Sequence, residues 1–407
     1  MMQIECFQIT AYDLPLRRNW ATARGGFNRR CGWLLQLCGA DDSTNSPNCT
    51  GLSNPPNPPL LKGGILRSSL KGGFDLPLLK KERLNLPLLK KEGRRGFHGY
   101  GDCAPLPAAG TETLEAAWLA LLKIQSVAVG HDAATLLDAL ESELTATPAA
   151  RFAVECALLD LLSQQRGLTL RQSLADNAPD TVPVNAMLGA LATITPTEVH
   201  TACAAGFKVL KIKVGLHDPA TELAQLTALA QLLPLGVTLR LDANGAWEFA
   251  AAQRMLDGLA QLPIEAVEEP LRQPDAALLA TLQQRVIFPL ARDESLHGVN
   301  WDGDLTALGV RRLVLKPAAI GGVQRTLALA QRAHTAGIEI VITSVIESAA
   351  GLWATAQLAA ACASDIPHGL ATADWLAADL GAPPPLHNGQ LRLPPTPGTG
   401  FHPHLTD

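Results

Sequence analysis

Two lysines stand two residues apart inside an apolar, β-branched stretch, Leu210-Lys211-Ile212-Lys213-Val214-Gly215. Successive side chains of a strand point to opposite faces, so Lys211 and Lys213 are predicted to point the same way. Burial lowers a lysine pKa, and a neighbouring ammonium group lowers it further. Such a pair suits an enzyme that needs a neutral, basic lysine near neutral pH. The alternative is an edge strand that carries two solvated lysines.

Further polar residues follow later apolar runs at a spacing of roughly 25 residues, close to the length of a strand, loop, helix and return loop. In chain order these groups are Asp242-Ala243-Asn244, Glu268-Glu269-Pro270, Asp293-Glu294-Ser295, Lys316-Pro317 and Thr343-Ser344. In a (β/α)₈ barrel the carboxyl ends of the strands meet at one mouth, where the active site lies. The sequence therefore predicts a single polar site built from the ends of successive strands.

Three carboxylates in these groups predict a metal site. Asp242, Glu268 and Asp293 would repel one another at a shared mouth unless a cation lay between them. Oxygen ligands without His or Cys favour a hard ion, so Mg²⁺ is the expected cofactor. Each carboxylate alone would suit a salt bridge or a helix cap equally well. Glu269 and Glu294 remain alternative ligands on residue type.

Lysines would flank this metal from opposite sides, because Lys316 lies four units further round than Lys211 and Lys213. A site with a metal ion between two opposed lysines is suited to reactions in which a proton is removed from the carbon beside a carboxylate. The ion stabilises the enediolate, one lysine takes the proton, and the other stabilises or returns charge. The predicted partner is thus a small-molecule carboxylate substrate. Arg240 shares a strand face with Asp242, which suits either a substrate pocket or an ion pair in the barrel interior.

Composition agrees with a two-domain globular enzyme. The chain has 407 residues, 47% of them hydrophobic, and a net charge of −5. It can bury a large core, and its charge gives no hint of nucleic-acid binding. Eight cysteines show no zinc-like spacing, and neither a signal segment nor a long apolar run is present. These features predict a cytoplasmic protein without a membrane span, of unspecified oligomeric state.

Element patterns predict an α+β capping domain over residues 1–178, a (β/α) barrel over 179–376 and a C-terminal return to the capping domain over 377–407. In the capping domain the patterns predict strands at 3–14, 31–37 and 99–107, a mobile glycine-hinged loop at about 15–26, a helix cap at Asp132 and a helix over 148–165. In the barrel they predict helices at about 218–233, 248–261, 274–284, 321–336 and 348–363, and a last strand within 368–375.

Residues 39–97 interrupt this pattern. They are rich in Pro, Gly, Ser and Lys, and Leu76–Glu82 and Leu86–Glu92 both read Leu-Pro-Leu-Leu-Lys-Lys-Glu. Repeats of about ten residues are too short to form a solenoid. The composition predicts a disordered insertion. A basic, leucine-bearing arm that touches acidic lipid or a partner is the alternative.

Taken together, these motifs resemble the enolase superfamily and its muconate cycloisomerase-like subgroup. The resemblance runs from the Gly-Tyr-Gly-Asp-Cys-Ala-Pro-Leu-Pro turn at 99–107, through the Lys-x-Lys, Asp-Ala-Asn, Glu-Glu-Pro, Asp-Glu-Ser and Lys-Pro motifs, to Pro-Gly-x-Gly at 397–400. Lysines on both sides indicate the subgroup. Within it, residues 242–247, 316–322, 346–352 and 368–375 look most like the o-succinylbenzoate synthase family.

That resemblance implies a modified TIM barrel and a Mg²⁺-dependent, syn-type dehydration of 2-succinyl-6-hydroxy-2,4-cyclohexadiene-1-carboxylate to o-succinylbenzoate, a step toward menaquinone or phylloquinone. In that resemblance Lys213 removes the proton, Lys316 stabilises the enediolate, and Lys211 lowers the pKa of Lys213. The implied Mg²⁺ ligands are Asp242, Glu268 and Asp293. The implied substrate-binding residues are Arg240 and Ser344. The same machinery serves N-acylamino-acid racemases, dipeptide epimerases and muconate-type cycloisomerases. A further alternative is an inactive barrel that acts as a binding protein.

Overall fold

The computed structural model describes residues 1–22, 25–41, 96–296 and 302–404. Its capping domain packs helices against a three-stranded antiparallel sheet. The strands are β1 (Met2–Thr22), β2 (Gly25–Asp41) and β3 (Phe97–Cys103). The helices are α1 (Leu114–Ala128), α2 (Ala133–Glu143), α3 (Pro148–Gln165) and the short α4 (Leu170–Leu174). Leu35 and Leu37 from the sheet and Leu121 and Leu158 from the helices share one buried cluster.

Local sequence accounts for where these helices begin. Asp132 accepts a hydrogen bond from the backbone N–H of Thr135 and caps α2, as predicted. Thr113 caps α1 in the same way, through the N–H of Ala116. Helix α3 begins at Pro148, where a missing N–H costs nothing, and ends at Gln165. Its predicted bounds are confirmed.

The prediction of an irregular loop at 15–26 is wrong for the described residues of that segment, which are β-strand. Strands β1 and β2 continue as a hairpin, and Trp20 pairs with Phe27 near its tip. Arg17 Nε donates to the carbonyl of Leu376, 3.0 Å away, so the hairpin is tied to the barrel rim. The local sequence could not predict this docked hairpin, because its partner Leu376 lies more than three hundred residues further along the chain.

Within the described residues, seven parallel strands form the barrel wall and hydrogen-bond in chain order. They are β5 (Ala186–Ala190), β6 (Val209–Lys213), β7 (Thr238–Asp242), β8 (Ile264–Glu268), β9 (Leu290–Arg292), β10 (Arg312–Leu315) and β11 (Glu339–Ile342). The surrounding helices are α5 (Pro196–Ala204), α6 (Pro219–Ala230), α7 (Phe249–Leu259), α8 (Ala276–Gln283), α9 (Pro317–Ile320), α10 (Val323–Thr335) and α11 (Ala349–Ala361). The (β/α)₈-type barrel with an α+β capping domain is therefore confirmed.

The eighth wall position is taken by two residues. His368 bridges to Val184 beside β5, and Gly369 bridges to Thr343 at the end of β11. The predicted last strand thus contributes two bridges instead of a regular strand. His368 is fully buried, and its Nδ1 accepts a hydrogen bond from the N–H of Ile342. This pairing joins the first and last strands of the curled sheet.

The C-terminal segment returns across the molecule. A small antiparallel sheet joins β12 (Leu386–His387) and β13 (Gln390–Arg392) to β4 (Thr181–Pro183). Further on, the N–H of Thr399 donates to Asp160 Oδ1 of α3 at 2.7 Å. The ring of Phe401 meets Tyr100 of β3 edge to face, with 5.4 Å between centroids. The segment therefore packs on the capping domain.

A buried carboxylate ties the capping domain to the barrel. Asp102 of β3 accepts a hydrogen bond from the hydroxyl of Tyr12 at 2.5 Å and another from the N–H of Ser348 at 2.7 Å. Ser348 precedes α11, so Asp102 satisfies a free backbone donor at the start of a barrel helix. Arg30 adds a hydrogen bond from its Nε to the carbonyl of Ile346. These contacts hold the β1–β2 hairpin over the barrel mouth.

Two further features concern the capping sheet. Cys6 and Cys38 form a disulfide between β1 and β2, which the sequence analysis did not predict because their spacing matches no motif. The predicted insertion at 39–97 lies mostly outside the described residues, but Gly39 and Phe97 at its ends pair within the sheet. None of the helices in the described ranges is long and apolar enough to cross a membrane.

Candidate active site

A cavity of about 310 Å³ opens at the carboxyl ends of the barrel strands, beneath the β1–β2 hairpin. Six of the eight residues predicted for the site line it: Lys211, Lys213, Asp242, Asp293, Lys316 and Ser344. The register of the parallel sheet explains this convergence, because Lys213 pairs with Asp242 and Asp242 with Glu268 on adjacent strands. Strand β6 lies between β5 and β7. The edge-strand alternative for its two lysines is therefore wrong.

Lys211 is held by two carboxylates. Its Nζ lies 3.1 Å from Oδ2 of Asp242 and also contacts Oε2 of Glu268. Burial opposes the charge on Lys211, but Asp242, Glu268 and then Asp293 outweigh burial and raise its pKa. Lys211 is thus a protonated lysine within this group.

Lys316 has a similar environment on the opposite wall, directly after β10. Its Nζ lies 2.5 Å from Oδ1 of Asp293. Burial disfavours the ammonium form, yet Asp293 and Glu294 outweigh this effect and raise the pKa of Lys316. The side chain therefore presents a positive charge to the cavity.

Lys213 differs from both. Its Nζ lies 4.7 Å from the ring centroid of Trp20, on the hairpin that covers the cavity. Burial lowers its pKa, and the like charges of Lys211 and Lys316 lower it further, while Asp242 acts in the opposite direction. Of the three lysines, Lys213 is the one whose pKa moves toward the range in which a lysine acts as a base.

The three predicted metal ligands lie at the ends of adjacent strands, and all are buried. Burial raises the pKa of Asp293 to about 8, although Lys316 acts against it. Burial also acts to raise that of Asp242, but Lys211 and Lys213 outweigh it and lower the pKa. Among the described residues no three acidic, His or Cys side chains stand close enough together to hold a metal ion. In this conformation the ammonium groups of Lys211 and Lys316 balance the carboxylate charges instead.

Local backbone geometry separates the two glutamates that follow β8. Glu269 has a positive φ of 45°. Its side chain turns away from Lys211 and accepts hydrogen bonds from the N–H of Asp293 at 2.5 Å and of Ser295 at 2.9 Å. Glu269 therefore organises the loop after β9, whereas Glu268 contacts Lys211. Asp293 and Glu294 both line the cavity, and Glu294 accepts from Asn244 Nδ2 at 3.0 Å.

Residues 196–406 match the family described as "Enolase C-terminal domain-like". A curated o-succinylbenzoate synthase from Yersinia pseudotuberculosis serotype I (strain IP32953) is 31% identical over 294 residues, which cover 70% of this chain and 82% of the relative. The chain belongs to the enolase C-terminal domain-like family. It is therefore an enzyme, and its curated relatives place it in the lyase class.

A second curated o-succinylbenzoate synthase, from Desulfotalea psychrophila (strain LSv54 / DSM 12343), is 33% identical over 230 residues, 55% of this chain and 62% of the relative. Among solved structures, a dipeptide epimerase from Methylococcus capsulatus with Mg and L-Arg-D-Lys is similar, with a TM-score of 0.76, 25% identity and coverage of 98% and 99%. A muconate lactonizing enzyme from Pseudomonas Fluorescens has a TM-score of 0.75 at 21% identity, with coverage of 99% and 97%. It shares the fold.

Arg240, expected to bind substrate, does not line the cavity. It is completely buried, and its Nε lies 2.8 Å from Oε2 of Glu265. The same guanidinium donates to Asn185 Oδ1 at 3.1 Å and to the carbonyl of Pro367 at 2.9 Å. Arg240 lies one pleat below Asp242 on β7, so it points into the barrel interior. The interior ion-pair alternative describes its environment.

Ser344 does line the cavity, at the end of β11. Its hydroxyl accepts hydrogen bonds from the N–H of Ile346 at 2.8 Å and from the hydroxyl of Thr372 at 3.0 Å. Thr372, Trp20 and Phe27 also line the cavity, although none of them was predicted as a site residue. Two aromatic residues near a glycine pair were a usable signal, but only the hairpin register shows that they face the barrel.

Proposed function

We propose that this enzyme dehydrates 2-succinyl-6-hydroxy-2,4-cyclohexadiene-1-carboxylate to o-succinylbenzoate, a step toward menaquinone or phylloquinone. The observation that carries the proposal is the pair of lysines, Lys213 and Lys316, on opposite walls of one buried cavity whose acidic groups lie between them. The names of the curated relatives support the choice of substrate.

The proposed reaction needs one base and one positive charge. Lys213, whose pKa is lowered, takes the proton from the ring carbon that bears the carboxylate. Lys316, whose pKa is raised, keeps its ammonium charge beside the developing enediolate. Lys213 then returns the proton to the departing hydroxyl group, so that water leaves and the ring becomes aromatic. The base is thereby restored without a second proton donor.

Lys211 supports this assignment through its charge. It keeps an ammonium group on the same strand face as Lys213, and this like charge helps to hold the pKa of Lys213 down. Burial is the larger cause, and Lys316 contributes in the same direction. Loss of the positive charge of Lys211 would therefore raise the pKa of Lys213 and favour its protonated, non-basic form.

Asp242, Glu268 and Asp293 are the residues proposed to hold Mg²⁺. The donor set fits in its chemistry, because these are three buried carboxylates on adjacent strand ends, and they would draw closer together to share an ion. Bound there, the ion supplies positive charge that stabilises the enediolate. To admit it, the ammonium group of Lys211 must withdraw from Asp242 and Glu268.

A second candidate function uses the same geometry. A racemase or epimerase needs one working lysine on each side of the substrate, and lysines occupy both walls here. One of the similar structures is a dipeptide epimerase. N-acylamino-acid racemisation, dipeptide epimerisation and muconate-type cycloisomerisation are therefore the alternatives.

One experiment separates these activities. The purified protein with Mg²⁺ is offered the cyclohexadiene substrate, a panel of N-succinylamino acids, dipeptides, and cis,cis-muconate. Aromatisation is followed by ultraviolet absorbance, and epimerisation by exchange of the α proton in D₂O. We expect rapid aromatisation with slower or absent exchange. Efficient racemisation without any aromatic product would overturn the proposal.

A further inference from the structure

We propose that Trp20 is a positioning residue whose indole face holds the amino group of Lys213 at the wall of the cavity, where it can reach the reacting proton. This inference rests on the proposed role of Lys213 as the base. It concerns a side chain of the capping domain that acts on a side chain of the barrel.

The contact is direct. Lys213 Nζ lies 4.7 Å from the ring centroid of Trp20, within the distance of about 6 Å at which an ammonium group is attracted to an aromatic face. Both side chains line the active-site cavity beneath the hairpin. Both also line a neighbouring cavity of about 430 Å³, together with Met187 and Asn244. Trp20 and Lys213 therefore form part of the partition between the two spaces.

Trp20 is itself held from behind. Its ring meets the ring of Trp375 edge to face, with centroids 4.7 Å apart. The guanidinium carbon of Arg18 covers Trp375 at 3.9 Å. Because Trp375 follows the eighth wall position, the barrel rim supports the tip of the capping hairpin. The indole is thus a supported surface that can restrain a neighbouring side chain.

An aromatic face suits a lysine that must gain and lose a proton. A lysine side chain has four rotatable bonds, and Asp242 lies directly beside Lys213 in the strand register. A carboxylate stabilises an ammonium group strongly and retains its proton. The indole attracts the ammonium more weakly and offers no basic lone pair. Trp20 can therefore orient Lys213 while leaving proton transfer to the substrate possible.

The contact is tested first by NMR, without any turnover. In protein labelled with ¹³C-lysine, Lys213 is assigned by the signal lost in Lys213→Arg. The ring current of Trp20 should move the Hε protons of Lys213 upfield. We expect Trp20→Leu to abolish that shift and Phe27→Leu to preserve it. A Lys213 signal at the same position in wild type and Trp20→Leu would overturn the contact, whatever substrate the enzyme uses.

Kinetics test the positioning role. Misplacement of a catalytic group costs about 10- to 100-fold in rate. We expect Trp20→Leu to lower kcat by that factor with little change in KM and to enlarge the isotope effect with substrate deuterated at the reacting carbon. Trp20→Phe, which keeps an aromatic face, should recover much of kcat. Phe27→Leu should change mainly KM.

The outcomes are distinguishable. A higher KM in Trp20→Leu with unchanged kcat and isotope effect would show that Trp20 only covers the substrate, and the positioning role would be wrong. Absence of dehydration by the wild type would instead remove the proposed function. The NMR result would then still decide whether Trp20 holds Lys213, and the same kinetic comparison would be made on the substrate that turns over.

Discussion

Lys211 Nζ lies 3.1 Å from Asp242 Oδ2 and contacts Glu268 at the same time, so one ammonium group balances two proposed metal ligands. A cation bound by these carboxylates must compete with that ammonium. We expect Lys211→Met, which keeps the length of the side chain, to strengthen Mg²⁺ binding while reducing turnover, because Lys213 loses a neighbouring positive charge. Calorimetric titration measures the affinity. Lys208→Met, at an exposed position before β6, is the control. Weaker Mg²⁺ binding by the Lys211 variant would contradict the competition.

Each proposed metal ligand can be tested singly. Asp242→Asn, Glu268→Gln and Asp293→Asn each remove one charged oxygen donor with little change in size, so we expect each to weaken Mg²⁺ binding and nearly to eliminate turnover. Asp257→Asn is a matched control, since Asp257 pairs with Arg285 at an exposed position on α7. Full turnover and unchanged Mg²⁺ affinity in any of the three variants would show that its carboxylate is not a ligand.

The two catalytic lysines should respond differently to substitution. Lys213→Ala removes the base, and we expect it to abolish dehydration. Lys316→Arg keeps the positive charge beside Asp293 and should retain part of the dehydration activity. Racemisation would be lost in both variants, because each direction needs one lysine to remove the proton and the other to deliver it. Assays of both variants on both substrate types make the comparison. Substantial dehydration by Lys213→Ala would disprove its role as base.

A buried carboxyl group should make stability depend on pH. Glu155 of α3 accepts a hydrogen bond from the N–H of Gln324 at the start of α10, 2.7 Å away, and burial raises its pKa to about 7. The folded protein therefore holds this proton at pH values where the unfolded chain has released it. The free energy of unfolding should fall as pH rises from about 4.5 to 7, by up to about 3 kcal/mol.

Glu155→Gln keeps an acceptor for Gln324 but cannot ionise, so its unfolding free energy should vary less over that pH range. Urea unfolding at about pH 5 and pH 7 measures the difference. Glu143→Gln is the control, because Glu143 lies at an exposed position on α2 beside Lys123. An unchanged pH dependence in Glu155→Gln would show that another group is responsible.

Removal of residues 42–95 should leave the fold and most turnover intact. Gly39 of β2 pairs directly with Phe97 of β3, so a short turn can join the two strands. The repetitive sequence of the segment, rich in Pro, Gly and Lys, contains few residues that could pack in a hydrophobic core. Thermal unfolding and turnover of the shortened protein provide the test. Loss of the folded barrel upon deletion would contradict this expectation, as would resistance of the segment to limited proteolysis in the full-length protein.

The sequence by itself determined that the chain forms a barrel and which polar residues lie at the carboxyl ends of its strands. Strand and helix periods are local properties, and the carboxyl ends of parallel strands must meet at one end. The sequence alone therefore predicts that Lys213, Asp242, Asp293 and Lys316 surround one cavity. The start of α3 followed from a proline at its first turn. None of these inferences required a contact between residues distant in the chain.

Tertiary structure decided the features that depend on direction and on distant partners. The positive φ of Glu269 turns its side chain toward the loop after β9. Residue type alone could not distinguish Glu269 from Glu268 as the residue that faces Lys211. Arg240 shares a strand with Asp242, but its neighbours from other strands draw it into the interior. Trp20 reaches Lys213 only because a hairpin from the capping domain docks on the barrel rim. Such contacts join residues far apart in sequence, and no local pattern encodes them.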